Sequence, residues 1–249
     1  MKNLFLLWPR EFTINSYLLS IKYKMLWIGY GNTILRVLMA VPISLAITLL
    51  SGYALSHKTL PLRKTISMML LIAMLFSGGL IPNYLLVNGL GLMDSRWALV
   101  LPGALTVFHI FLARNFFLSL PDSLEESAYI DGASSTRIFL QIILPLSLPI
   151  IATLALFKLV ENWNAWFDCM IYIQDRSKHV LQLVLRRIVI LNDMDGLEAM
   201  MNNIDERSLY TGRQLQATVI VLSVAPMLIV YPFIQKYFVK GIMLGAVKG

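Results

Sequence analysis

Two adjacent carboxylates, Glu125 and Glu126, open a short polar stretch that lies between two long apolar runs. Asp122 or Ser123 can cap a helix at this point, and both glutamates suit its first turn, where the positive end of the helix dipole favours negative charge. Gly132 is expected to end this helix, because glycine readily adopts the left-handed conformation used at helix C-termini. A second helix follows and leads into the next apolar run. The chemistry that this helix-turn-helix predicts is docking to another protein through exposed acidic and small residues.

Catalytic and metal-binding chemistry has no comparable cluster of residues in the sequence. The three histidines, His57, His109 and His179, are isolated and match no metal-ligand spacing. The apolar runs offer no convincing pair of a serine with a lysine or histidine base for intramembrane hydrolysis. No Gly-x-x-x-x-Gly-Lys-Ser/Thr loop for binding phosphates occurs. The sequence therefore predicts no catalytic residue, no metal site and no cofactor bound by this chain.

The overall composition is that of an integral membrane protein. Hydrophobic residues make up 57% of the 249 residues and charged residues 14%, about half the charged share usual in a soluble domain. The net charge of +7 could indicate nucleic acid, but anionic lipid headgroups and the positive-inside tendency select the same basic excess, so we expect no nucleic-acid partner. The single cysteine, Cys169, excludes an intramolecular disulfide and a thiol cluster. We expect the fold to be stabilised by packing in membrane lipid.

Five apolar runs have, or nearly have, the length of about 20 residues that a helix needs to cross a membrane. They predict an all-α polytopic membrane helix bundle, formed as one domain over residues 1–249. The predicted spans lie at about 33–54, 66–87, 97–118, 142–160 and 215–237. Arg36 lies near the start of the first span, close enough to the membrane interface to extend its charged end into water.

The distribution of basic residues predicts the orientation of these spans. The very short loop 57–64 holds three basic side chains, which favours a cytoplasmic position. Alternation then places residues 121–145 in the cytoplasm and residues 1–32 and 161–213 outside. The second external stretch is itself basic, but long loops follow the rule poorly. An external N-terminus without a signal sequence is unusual, so we expect either an additional span before Met1 in the native product or an N-out insertion.

The polar stretch resembles the cytoplasmic motif of the permease subunits of ATP-binding cassette (ABC) importers. In those proteins Glu-Ala-Ala is followed by three residues, a glycine, nine residues and Ile-x-Leu-Pro. This chain has Glu126-Ser127-Ala128, Gly132 and Ile142-Ile143-Leu144-Pro145, with both spacings met. The one departure is Ser127, which replaces one small residue with another. The resemblance implies that the first helix is a coupling helix, seated in a cleft of an ATP-binding subunit, with Glu126 paired to a basic residue there.

The similarity to this family extends over nearly the whole chain. The stretches 76–82, 97–103 and 163–167 are similar to the carbohydrate, maltose-type branch, near the polygalacturonan and rhamnogalacturonan permeases. The resemblance implies a type I importer permease fold of the cell membrane, normally with six spans, of which this chain would hold five. It also implies a second permease subunit, ATP-binding subunits that hold ATP and magnesium, an extracytoplasmic solute-binding protein, and a carbohydrate substrate for which an acidic oligosaccharide is one option.

Two sets of residues are expected to carry the transport function. The resemblance assigns ATPase coupling to Glu125, Glu126, Ser127, Ala128, Asp131, Gly132, Leu144 and Pro145. The substrate pathway is a hypothesis for Gly78, Gly79, Asn162, Trp163, Asn164 and Trp166. Indole rings stack on sugar rings, amides bond to hydroxyls, and paired glycines can unwind a helix and expose its carbonyls. An aromatic belt at the membrane interface is the commoner explanation for such tryptophans, and close helix packing explains the glycines equally well.

An ATP-independent secondary transporter or channel is the alternative function. Such a protein would often carry a relay of carboxylates inside the membrane. None of the five apolar runs contains an aspartate or a glutamate. The sequence therefore favours the importer.

Overall fold

The computed structural model describes residues 15–190, 214 and 216–229, and every regular element in those residues is a helix, as predicted. Short 3-10 turns cover Arg96–Leu99 and Arg176–Lys178, and a π-helical turn, Phe139–Ile143, lies within α7. The helices are α1 (Asn15–Ile21), α2 (Lys24–Ser56), α3 (Arg63–Leu75), α4 (Leu80–Gly89), α5 (Val107–Leu118), α6 (Ser123–Ile130), α7 (Ser135–Leu146), α8 (Leu148–Asn164), α9 (Phe167–Tyr172), α10 (Leu181–Val189) and α11 (Gln216–Ile229).

α2 is the central helix, and α5, α8 and α10 pack against it. Its 33 residues span about 50 Å, more than the hydrocarbon core of a bilayer requires. It begins at Lys24, well before the predicted start of the first span at Thr33. Tertiary contacts that hydrophobicity does not reveal hold this earlier part, since the Asn32 amide donates to the carbonyls of Ser177 and His179 at 2.7 and 3.1 Å.

The second predicted span, 66–87, is a bent pair of helices rather than one continuous helix. The axes of α3 and α4 differ by 111°. Residues 76–79 between them are non-helical, and Gly79 has a φ of +84° that side-chain-bearing residues rarely adopt. Pro82 falls in the first turn of α4, where its missing N–H costs no helical hydrogen bond. The bend therefore follows from the paired glycines and the proline.

The third predicted span, 97–118, is α-helical in its second part only. α5 supplies 12 residues, about 18 Å of helix, and residues 100–106 before it are irregular. Pro102 lacks a donor for the helical ladder and Gly103 is a poor helix former, which explains the interruption. Pro102 and Gly103 consequently lie exposed outside any helix.

The fourth predicted span, 142–160, crosses the junction of α7 and α8, whose axes differ by 78°. Pro145 and Pro149 flank the junction, and each removes one main-chain donor from the helical ladder. Ser147 lies at the bend with no exposed surface, and its hydroxyl donates to the Ile143 carbonyl at 2.7 Å. The bend is thus a packed feature with a buried side-chain hydrogen bond at its centre.

Two apolar clusters form the core around α2. The first joins α2 to α8, α10 and α11, and the second joins α2 to α5, α6, α7 and α8. The buried members of the first are Leu26, Trp163, Leu181, Val184, Ile188 and Val219; those of the second are Leu49, Ala113, Phe117, Ala128, Ile138, Phe139, Ile143, Ile150 and Leu154.

α3 and α4 project away from this core. No residue of α3 is buried, and Val87 is the one buried residue of α4. Met69, Phe76 and Ile81 are 65%, 74% and 71% exposed. An apolar surface of this extent is normally covered by lipid or by another protein.

By length and composition, α2 is the one helix in the described residues that could cross a membrane alone; counting each bent pair as one span gives up to three. α11 covers part of the predicted fifth span, 215–237, and the rest of that span lies outside the described residues, as do residues 1–14 and 191–213.

The expected external loop 161–213 is not an open loop in its described part. It folds into the end of α8, α9 and α10, because buried polar contacts and the first core cluster hold it against α2.

We expect Gly52→Ala to destabilise the protein although Gly31→Ala, in the same helix, stabilises it. A Cβ at Gly52 would lie 2.8 Å from the Ala113 Cβ and 3.1 Å from the Arg114 amide nitrogen of α5, so the helices must separate, at a cost of about 1–3 kcal/mol. A Cβ at Gly31 meets nothing within 4 Å, and alanine is favoured over glycine in a helix by about 1 kcal/mol. Melting temperatures of the variants purified in detergent measure both effects, and shifts of the same sign would contradict this packing.

Candidate functional site

The polar stretch 121–145 folds as the predicted helix-turn-helix. The side chain of Asp122 makes no capping hydrogen bond, so the expected cap at the start of α6 is absent. Gly132 has a φ of +78°, the left-handed conformation predicted for it. Its amide donates to the Tyr129 carbonyl and the following amide donates to the Ala128 carbonyl, each at 3.0 Å. This pair of bonds is the Schellman motif, which ends α6 and turns the chain into α7.

The start of α7 and the end of α6 border a polar cleft of about 240 Å³. The Ser134 hydroxyl accepts a hydrogen bond from the Arg137 amide and so caps α7. The Arg137 guanidinium donates to the Gln141 side chain at 2.9 Å, and both residues line the cleft together with Asp131. Further along, Leu144 packs half-buried against the second core cluster, and Pro145 is exposed. These side chains present α6, its turn and the cleft as one surface.

The two adjacent glutamates point in different directions. Glu126 is exposed, as are Ser127 and Ile130, the last at 87%. Glu125 is half-buried, and its Oε2 lies 3.7 Å from Nδ1 of His57. Ala128 is the one buried residue of α6. The sequence grouped the two carboxylates, whereas the structure leaves Glu126 exposed and directs Glu125 at the end of α2.

The end of α2 is held by several elements. The Leu55 carbonyl accepts hydrogen bonds from Nε of Arg63 and Nε of Arg114, at 2.9 and 3.2 Å. The ring of Tyr53 lies 4.6 Å from that of His57 and packs against Phe117 of α5 and Phe139 of α7. The C-terminal ends of α2 and α5 and the first part of α7 therefore meet beside α6.

Asn162 and Trp163, two of the residues expected on the substrate pathway, face the protein interior. The Asn162 oxygen accepts from Nε of Arg36 at 3.0 Å, and its amide donates to the Lys158 carbonyl at 2.9 Å. Trp163 is 7% exposed and belongs to the first core cluster. Both side chains are therefore largely buried, and Trp163 borders a small apolar pocket with Leu159 and Met227 rather than forming part of an aromatic belt.

Arg36 is buried rather than extended towards water, so that prediction is wrong. Its side chain is 6% exposed, and Nη1 and Nη2 each donate to one carboxylate oxygen of Asp168, the first at 3.0 Å. Nε is taken by Asn162. A bidentate pair with every guanidinium nitrogen engaged can offset the cost of removing the charge from water. This network ties α2 to α8 and α9.

The other expected pathway residues are more accessible. Gly78 and Gly79 are exposed in the break between α3 and α4, and a Cβ at either would meet nothing within 4 Å. Close helix packing within the described chain therefore does not explain them. Asn164 is exposed, and Trp166 is half-buried with the Arg186 guanidinium 3.8 Å from its ring centroid.

Lys158 is a buried cation that holds the irregular segment before α5. It is 2% exposed, and Nζ donates to the Gly103 carbonyl at 2.6 Å, to the Thr106 hydroxyl at 3.3 Å and to the Glu161 carboxylate at 2.9 Å. These three bonds use all the donors of an ammonium group. The exposed chain at Pro102 and Gly103 is thus fixed to α8.

Asp94 fastens the loop after α4 to the chain that follows α9. Its Oδ1 accepts from the amides of Asp175 and Gln174, at 3.1 and 3.2 Å, and its Oδ2 pairs with Nζ of Lys178 at 3.1 Å. The Asp175 amide and Lys178 hold the pKa of the Asp94 carboxyl below its ordinary value. The two loops are therefore clamped at the end of the molecule away from α6.

Comparison with known proteins identifies the family of this chain. Residues 23–167 match the family model described as "binding-protein-dependent transport system inner membrane component". The match covers more than half of the chain and includes α2 and the whole helix-turn-helix. The chain belongs to this family. It is an inner membrane component of a transport system, which confirms the predicted membrane location.

Several known proteins are similar to the permease over most of its length. It is 39% identical to the polygalacturonan/rhamnogalacturonan transport system permease protein YtcP of Bacillus subtilis, over 98% of this chain and 85% of that one. It is 40% identical to protein LplC of the same organism, over 98% and 82%. A crystal structure of a bacterial ABC transporter involved in the import of the acidic polysaccharide alginate contains a chain with 31% identity and a TM-score of 0.86, covering 96% of this chain and 84% of that one.

These comparisons confirm the helical importer permease fold and the transport class, and they place the protein among permease subunits rather than enzymes. Family membership implies an ATPase, a second permease subunit and a solute-binding protein as partners in general terms. It also argues against the ATP-independent alternative. The number of spans stays a prediction.

Sequence reasoning missed three polar contacts of the permease. They are Arg36 with Asp168, His57 with Glu125, and Lys158 with Glu161. The first two join residues more than 60 positions apart, and no local pattern reports such a pair. Lys158 did carry a signal, because a lysine inside an apolar run is functional or structural by default.

Proposed function

We propose that the permease translocates oligosaccharides of acidic sugars and that α6 docks on an ATP-binding subunit. The observation that supports docking is the exposed surface of α6. Glu126, Ser127 and Ile130 are exposed there, close to the turn at Gly132. The acidic substrate is supported by two similar proteins, one named for polygalacturonan and rhamnogalacturonan and one from an importer of alginate. Polygalacturonan and alginate both consist of sugars that carry carboxylates.

Coupling is mechanical in this proposal. Closure of the ATP-bound nucleotide-binding dimer moves α6 as a rigid body, and the helices packed above it tilt from an inward-open to an outward-open arrangement. The solute-binding protein then delivers the substrate from outside. ATP binding on the partner subunit and substrate binding in the pathway are thus linked through one conformational equilibrium. This chain needs no covalent chemistry for that link.

The exposed apolar surfaces of α3 and α4 support a contact with the second permease subunit and with lipid. α3 has no buried residue within the described chain, and a surface with residues such as Met69 and Phe76 exposed needs a cover. A pathway between two permease subunits would pass the break at Gly78 and Gly79, whose main chain is accessible. Asn164 and the Arg186–Trp166 pair offer an amide, a cation and a ring for a carboxylated sugar.

The substrate class is tested by uptake in cells that express the complete importer. We expect labelled oligogalacturonides to accumulate, and unlabelled oligogalacturonides to compete with them. Methyl-esterified oligogalacturonides of the same length are the matched control, because they keep the ring shape and lose the negative charge. They should compete at least about tenfold more weakly, since a site built for a polar group strongly disfavours an analogue without it. Equal competition, or accumulation of neutral oligosaccharides alone, would contradict an acidic substrate.

A further inference from the structure

We infer that Glu125 fastens α6 to the end of α2 and is a positioning residue for coupling, distinct from the docking residue Glu126. This inference rests on the proposed docking of α6 on an ATP-binding subunit. It adds the contact within this chain through which a movement of α6 is transmitted to α2, the central helix.

The first argument is the direction of the Glu125 side chain. Its carboxylate lies 3.7 Å from Nδ1 of His57, the residue that follows α2, and the two side chains are 24% and 33% exposed. The neighbouring hydroxyl of Tyr53 is buried and interacts with the Glu125 carboxylate. Glu125 thus faces two polar groups of α2, whereas Glu126 faces outward.

The second argument is how little else holds α6. The helix has eight residues, and Ala128 is its one buried side chain. Burying an alanine stabilises a contact far less than burying a leucine or a phenylalanine, because the stabilisation scales with apolar area. Leu124 is half-buried, Tyr129 is 49% exposed with its hydroxyl in a hydrogen bond with Ser135 of α7, and Ile130 is 87% exposed. In the described part of the chain, the contacts of Glu125 are therefore the polar link between α6 and the end of α2.

The third argument is what Glu125 reaches through Tyr53. The Tyr53 ring contacts Phe117 of α5 and Phe139 of α7, with ring centroids 5.7 and 4.7 Å apart. The Leu55 carbonyl nearby is bonded to Arg114 of α5. A displacement of Glu125 thus acts on a junction where α2, α5 and α7 are packed together, and α2 in turn packs against α8 and α10.

The test compares Glu125→Ala with Glu126→Ala in the assembled importer. For Glu125→Ala we expect the ATP-binding subunit to be recovered with the permease, because Glu125 faces the end of α2 rather than the exposed tip of α6. Substrate uptake should fall about tenfold, the scale of a typical coupling between sites. Glu126→Ala should instead lose the ATP-binding subunit. Retention of that subunit by Glu126→Ala would count against the docking proposal alone, because uptake per ATP hydrolysed still reports on Glu125.

A second variant separates positioning from folding. Glu125→Gln combined with His57→Gln keeps two polar side chains that can form a hydrogen bond between the same two positions, so we expect it to recover much of the uptake lost in Glu125→Ala. Uptake is divided by the amount of assembled importer in the membrane, which removes any effect of reduced abundance. Uptake by Glu125→Ala within twofold of wild type, or no recovery in the paired variant, would overturn the inference.

Discussion

The Glu126→Lys variant is expected to enter the membrane in normal amounts and to lose its ATP-binding subunit during purification. Glu126 is exposed and makes no hydrogen bond or ion pair in the described part of the chain, so replacing it leaves the fold intact. If the carboxylate pairs with a basic residue of the ATPase, the lysine meets a like charge. Losing a desolvated charge pair at an interface costs at least about 2 kcal/mol, or about 30-fold in affinity.

Co-purification of the ATP-binding subunit and substrate uptake measure this effect. Thr59→Lys is a suitable control, because Thr59 is exposed in the loop between α2 and α3 and the substitution also adds positive charge near this end of α2. The control should retain both the partner and the uptake. Normal co-purification and normal uptake by Glu126→Lys would remove Glu126 from the docking surface.

Arg36→Ala is expected to reduce the amount of folded permease more than any other single truncation considered above. It removes the partner of the Asp168 carboxylate, which is 29% exposed, and of the buried Asn162 oxygen. Removing the cation from a partly buried carboxylate costs about 3 kcal/mol, at the lower end of the range for buried pairs because water reaches one side of Asp168 and the Cys169 amide still donates to it. α8 and α9 would lose their polar attachment to α2.

Thermal unfolding in detergent and abundance in membranes report the loss at Arg36. Arg96→Ala is the matched control, because Arg96 makes one hydrogen bond, to the Asn32 side chain at 3.1 Å, and is exposed. It should cost about 1 kcal/mol or less. Arg36→Lys should fall between the two, since an ammonium cannot form the bidentate pair. Equal stability of Arg36→Ala and Arg96→Ala would show that the network contributes little.

The docking element was predictable because its signals are local. The glutamates, the glycine and the spacing to Leu144-Pro145 lie within one short stretch, and Gly132 adopts the left-handed conformation expected from its type. The long apolar runs likewise predict helices. Their interruptions were harder to predict, because prolines such as Pro42 are accommodated inside α2, whereas Pro102 and Gly103 lie in an irregular segment.

The direction of a side chain could not be predicted in the same way. Trp163 is of a residue type that is common at membrane interfaces and in sugar-binding sites, yet α10 and the start of α2 cover it. Arg36 is close enough to a span end to reach water, yet Asp168 and Asn162 hold it inside. Both outcomes depend in part on residues more than 100 positions away, which periodicity does not connect.

The central claim is tested most directly by purifying the tagged permease from membranes, identifying the proteins that accompany it and measuring ATP hydrolysis with and without substrate-loaded binding protein. We expect an ATP-binding subunit and a second permease subunit to be recovered, and hydrolysis to be stimulated by the loaded binding protein. Recovery of the permease alone, with no ATPase partner and no stimulated hydrolysis, would contradict the account.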